Sequence, residues 1–178
     1  RVYNFFSAGA ASNGINLIGL NNGWNITGNR IYQEGSRTYT TANIHKGIVA
    51  NNTAGTFNIS NNIIGFANAS GTGTYTMTFV TTPVANRFFG MDVNAALSPA
   101  TTISGNTISN FSIATSSTGT GSGAPFCGIW LNAGGANITN NTVGSMSGVD
   151  NILVRGTATG GSATTANVIG IAQGAASN

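Results

Sequence analysis

The groups able to do chemistry in this chain are few enough to take one at a time. Its 178 residues include three acids, Glu34, Asp92 and Asp150, one histidine, His45, and one cysteine, Cys127. Glycoside cleavage needs two carboxylates facing each other across the bond. A calcium site needs several oxygen ligands gathered in one place. The three acids fall in different parts of the chain, so neither arrangement is expected. A cysteine nucleophile needs a base, and His45 is the only candidate. Cys127 lies in the apolar run Phe126-Cys127-Gly128-Ile129-Trp130, which reads as a small buried hydrophobe. One imidazole beside Lys46 is no metal cluster. The expectation is therefore no catalytic residue, no cofactor-binding residue and no metal ligand within this segment.

The composition explains this scarcity. Charged residues make up 5% of the chain, while Gly contributes 26 residues and Asn 25. That excludes helix bundles and coiled coils, which need Ala, Leu, Glu and Lys at helical spacing. With 40% apolar residues and a net charge of +3, disorder driven by charge is excluded too. Six scattered cations form no basic patch, so no nucleic-acid partner is expected. No apolar run approaches the ~20 residues of a membrane-spanning helix. With a single cysteine, no disulfide can form within the chain. The chain begins at Arg1 without an initiator Met, and it reads as a segment of a longer polypeptide.

What must position any site is a repeat. Asn25-Ile26-Thr27-Gly28-Asn29-Arg30-Ile31 returns as Asn58-Ile59-Ser60-Asn61-Asn62-Ile63-Ile64, as Thr102-Ile103-Ser104-Gly105-Asn106-Thr107-Ile108 and as Asn137-Ile138-Thr139-Asn140-Asn141-Thr142-Val143. Each copy follows a Gly-apolar pair: Gly14-Ile15, Gly47-Ile48, Gly90-Met91 and Gly128-Ile129. A fifth pair, Gly170-Ile171, stands near the end, and the pairs recur every 33 to 43 residues. The repeats thus cover 14–31, 47–64, 90–108 and 128–143, with a partial one from 170, in one domain over 1–178.

The columns have physical meaning. Apolar and polar residues alternate as in a strand. Gly or Asn at positions 28, 61, 105 and 140 tolerates left-handed backbone and so marks a bend. The asparagines that follow, Asn29, Asn62, Asn106 and Asn141, would stack at one strand spacing of ~4.8 Å and form a ladder of side-chain amides. The isoleucines would stack into a core. Thr72 to Val80 alternates like an extra strand, and the Gly/Ser/Thr-rich Ser116 to Ala124 reads as a flexible loop.

The same columns sort the remaining residues. Trp24 and Phe57 share a position expected to face inward. Asp92 follows the inward Met91 and should face out, in a column with Asn16, Val49, Trp130 and Ala172. Trp130 in that column is an outward aromatic, able to stack on a sugar or to pack under a loop; it and Asp92 are the candidate surface contacts. The Asn-x-Ser/Thr triplets at Asn25, Asn58 and Asn137 belong to the repeat, and turn chemistry explains them better than glycosylation. The Thr-x-Thr stretches drift in register from repeat to repeat, which argues against an ice-binding array.

The Ile-x-x-Asn-x-Ile repeat resembles the right-handed parallel β-helix proteins, the pectate-lyase-like and tailspike-like group, from about Gly14 to Gly174. The low-charge Asn/Thr/Gly style is similar to repeat-rich secreted surface proteins of Bacteroidetes-type bacteria. The resemblance implies an all-β solenoid of about four turns with long variable loops, located outside the cell or on the bacterial surface. The function expected is a structural or adhesive stalk, with glycan partners at its loops. Two alternatives stand beside it: a non-catalytic part of a polysaccharide lyase or glycoside hydrolase, and a passenger or partner segment of a larger secretion or surface complex. A stack of this kind has open ends, so flanking turns of the same chain or another protein are expected to cover them.

Overall fold

The computed structural model describes residues 1–145, 148, 151–158 and 164–174. Within them the chain is almost entirely strand and irregular connection, with one short 3-10 turn at Gly121–Gly123. The strands group by the pass of the chain to which they belong. After β1 (Val2–Tyr3), the first pass contains β2 (Asn13–Ile18), β3 (Trp24–Thr27), β4 (Arg30–Tyr32) and β5 (Arg37–Thr38). The second contains β6 (Ile44–Asn51), β7 (Phe57–Ser60), β8 (Ile63–Gly65) and β9 (Tyr75–Thr78). The third contains β10 (Arg87–Asn94), β11 (Thr101–Ser104), β12 (Thr107–Ser109) and β13 (Phe111–Thr115). The fourth contains β14 (Phe126–Ala133), β15 (Ala136–Thr139), β16 (Thr142–Val143) and β17 (Ile152–Gly156), and β18 (Val168–Gln173) opens a fifth.

Equivalent strands of successive passes pair in parallel, giving four sheets ordered β2-β6-β10-β14-β18, β3-β7-β11-β15, β1-β4-β8-β12-β16 and β5-β9-β13-β17. The repeat columns are register partners. Asn25, Asn58, Thr102 and Asn137 stand side by side, as do Ile26, Ile59, Ile103 and Ile138. Ile59, Ile103, Ile48, Met91, Ile129, Ile64 and Ile108 have no exposed surface and form one core with Phe88, Phe111 and Phe126. The Thr72–Val80 alternation yields β9, whose partners β5, β13 and β17 make the fourth sheet.

Two small-residue columns shape each pass. Gly28, Asn61, Gly105 and Asn140 all have positive φ, between 54° and 66°, and turn the chain from one sheet into the next. The Gly-apolar pairs work differently. A Cβ on Gly47 would stand 2.6 Å from the Gly90 carbonyl oxygen and 2.9 Å from Ile64, and one on Gly90 would meet Gly128 and Ile108 in the same way. These glycines let the passes approach over the isoleucine column. The glycine and the apolar residue after it both lie on the core side. Consequently Lys46 and Val49, or Phe89 and Asp92, share the outer face although they are three residues apart.

Two details differ from the sequence reading. Trp24 does share its register with Phe57, but Trp24 is 52% exposed while Phe57 is buried. β3 is the edge strand of its sheet, and no earlier pass covers the ring. The segment read as a flexible loop is tied down: Ser117 Oγ donates to Gly123 O, and Ala124 is fully buried. Among the described residues no helix is long and apolar enough to cross a membrane.

Candidate functional site: the amide ladder and the outer face of β6, β10 and β14

The four repeat asparagines follow the left-handed bend and are brought over one another by parallel register. The Asn62 Oδ1 accepts from both the backbone N–H and the Nδ2 of Asn29, each at 3.0 Å. Asn106 Oδ1 accepts the same two donors of Asn62 at 3.0 and 2.9 Å. Asn141 Oδ1 accepts those of Asn106 at 2.9 and 2.8 Å. The second Nδ2 hydrogen of Asn62 goes to Ile26 O and that of Asn106 to Ile59 O, both at 2.8 Å. Asn62 and Asn106 are sealed from solvent. Asn62 and Asn106 therefore spend their side-chain donors and acceptor on fastening one pass to the next, while at the two ends Asn29 Nδ2 and Asn141 Nδ2 also donate within their own pass, to Thr27 O and Thr139 O.

The outer face of β6, β10 and β14 holds the other candidates. Asp92 lies between Val49 and Trp130 in register. Its Oδ2 accepts from Lys46 Nζ at 2.5 Å, with the two side chains 13% and 24% exposed. The Asp92 Oδ1 is buried and, among the described residues, has no hydrogen-bond partner. This is an acid–cation pair from adjacent passes, and Asp92's own column does not reveal it. Lys46 is a diagonal neighbour, brought within reach by the double inward step at Gly47 and Ile48.

Trp130 is not an exposed platform. It is 8% exposed and packs with Phe89 and Cys127, its ring 6.2 Å from that of Phe89. Its indole N–H donates to Asn132 Oδ1 at 3.3 Å. The expectation of a surface contact through Trp130 is thus corrected: apolar neighbours from adjacent passes bury the ring, leaving little of it for a sugar to stack on. Asp92 keeps partial access, with Lys46 beside it.

Cys127, His45 and Glu34 do not come together. Cys127 is fully buried, and burial, with a smaller contribution from the Asp92 charge, pushes its thiol up to about 12. His45 stands in the core column with Phe88 and Phe126, whereas Cys127 is on the outer face, so the two form no dyad. The His45 ring lies 4.4 Å from Tyr39 and 5.8 Å from Phe6. Neither of its nitrogens has a hydrogen-bond partner among the described residues, and desolvation lowers its pKa to about 4. Glu34 accepts from the Asn4 amide at the exposed surface. Asp150 lies outside the described residues. Among the described residues, no three His, Cys, Asp or Glu side chains are grouped to hold a metal ion.

No family model matches the sequence, and searches of curated proteins and of solved structures found no match.

Proposed function

We propose that this chain is a segment of a right-handed parallel β-helix, and that its role is mechanical: a stiff stalk or scaffold in a secreted or surface-displayed bacterial protein. The observation that carries the reading is the ladder from Asn29 to Asn141, in which every buried donor and acceptor joins one pass to the next. Such a structure lengthens by adding passes and needs few charges. Flanking turns or another protein would cover its exposed ends, where Trp24 and Ile171 are each about half exposed. Glycan contact through loops and outer faces suits the abundance of amide and hydroxyl groups.

Two measurements on the 178-residue chain test this. Small-angle scattering should give a compact particle about as tall as it is wide, because five strands stacked at ~4.8 Å rise only ~24 Å; an extended, flexible chain would contradict the scaffold. Incubation with a panel of polysaccharides should release no new sugar ends. Release of such ends, lost in Asp92→Asn, would instead favour the lyase or glycoside hydrolase reading, with the Lys46–Asp92 pair as its working groups. Failure to fold alone, rescued by added flanking sequence, would favour the partner-segment reading.

A further inference from the structure

Charge is scarce in this chain, with six Lys and Arg against three Asp and Glu. Three of those nine groups, Lys46, Arg87 and Asp92, stand on the outer face of β6 and β10, with Lys46 reaching Asp92 and Arg87 at the start of β10, five residues before Asp92. Arg87 is the register partner of Ile44, and Lys46 that of Phe89, so the two cations are diagonal neighbours on adjacent strands. Both line an open groove of about 370 Å³, whose walls include Asn13, Asn43 and Ile44.

The two cations are engaged differently. Lys46 is held by Asp92. Arg87 donates from Nη1 to Ser122 O at 2.8 Å and, among the described residues, has no carboxylate partner. A guanidinium carries five N–H donors in a rigid fork that suits planar or tetrahedral oxyanions. The carbonyl contact fixes its orientation and uses one of them. Partial burial lowers the pKa of Arg87, as expected for a cation that lacks an opposing charge. The trio carries one net positive charge beside neutral carboxamides.

We propose that this groove is an oxyanion site, taking a singly charged carboxylate or sulfate group carried on a small solute or a sugar. Arg87 is the principal ligand, Lys46 the second charge, and Asp92 the group that limits affinity by occupying Lys46. This assignment rests on the groove alone and does not depend on the scaffold reading.

The test is an NMR titration of the whole chain with sodium glucuronate and, separately, sodium sulfate, at ionic strength held constant with chloride. Saturable shifts are expected at the amides of Asn43, Ile44, Lys46 and Arg87. Saturation by glucuronate alone identifies a carboxylate ligand, and by sulfate alone a sulfate ester; either supports the site. Arg87→Gln should weaken binding about tenfold or more, since hydrogen bonds to charged groups are worth that much. Asp92→Asn should tighten binding by freeing Lys46, and Arg155→Gln, on β17, should leave it unchanged. Shifts that do not saturate, or an Asp92→Asn variant that binds more weakly, would overturn the proposal. Should Arg87→Gln lose its fold, the sign of the Asp92→Asn effect still decides.

Discussion

His45 is the residue whose burial has the clearest energetic consequence. Its pKa is about 4 in the folded chain against about 6.5 when exposed. The unfolded state therefore binds the proton first as pH falls. The stability supplied by neutral, buried His45 is complete above pH ~6.5 and drains away toward pH ~4, by about 3 kcal/mol in all. Urea unfolding at pH 7 and at pH 4 should show that loss in the native chain, and His45→Phe should flatten it. Asn62 makes the complementary case. Replacing it with Ala removes the acceptor for two Asn29 donors and the amide donor to Ile26 O and Asn106 Oδ1, leaving Asn106 Oδ1 only the backbone N–H of residue 62, so a loss of ~1–3 kcal/mol is expected. Asn29→Ala, at the more exposed end of the ladder, should cost less, as thermal melts of both variants would show. The thiol of Cys127 should stay unreactive toward an aromatic disulfide reagent until the chain unfolds, because the thiolate is the nucleophile and burial disfavours it here.

At the scale of strands, the glycines before each inward apolar residue do more than end an alternation. Gly90→Ala would place a methyl group 2.5 Å from the Gly128 carbonyl oxygen and 2.8 Å from Ile108. The passes would have to part, at a cost of at least ~1–3 kcal/mol typical of overpacking; chemical denaturation measures it. The same glycines explain what was legible in the sequence. The Asn column, the isoleucine columns and the left-handed bend are local patterns whose spacing survives changes of loop length, so they can be read without coordinates. Lys46 and Asp92 are 46 residues apart and meet only diagonally, across a step where two successive residues face inward. Strict alternation cannot show that pair, nor the approach of Arg87 to the same groove. Trp24 and Trp130 went the other way for a related reason. Each stands in its expected register, but burial depends on whether a strand is at an edge and on what neighbouring strands place beside it. Phe57 and Trp24 occupy one column and differ in exposure for that reason alone.

For the whole molecule, the argument is that one pattern of contacts is copied from pass to pass. Four sheets share that pattern, and the chain enters them in the same order in every pass. The aromatic stack of Tyr75, Phe88, Phe111 and Phe126 joins the passes on the core side, with ring centroids 4.6 to 6.3 Å apart. Stability in such an array is a sum over neighbouring passes, so damage at a middle pass should be felt more than damage at an end. This is why the Asn62 and Gly90 variants matter more than any loop change. The central claim is the register of those passes, and nuclear Overhauser spectroscopy of the 178-residue chain reads it directly. The Asn62 side-chain amide should show cross-peaks to the Asn29 and Asn106 amides, and the backbone amides around Asn58 should show them to those around Thr102. Cross-peaks that place Asn62 beside other partners, or none linking one repeat to the next, would contradict the stacked arrangement.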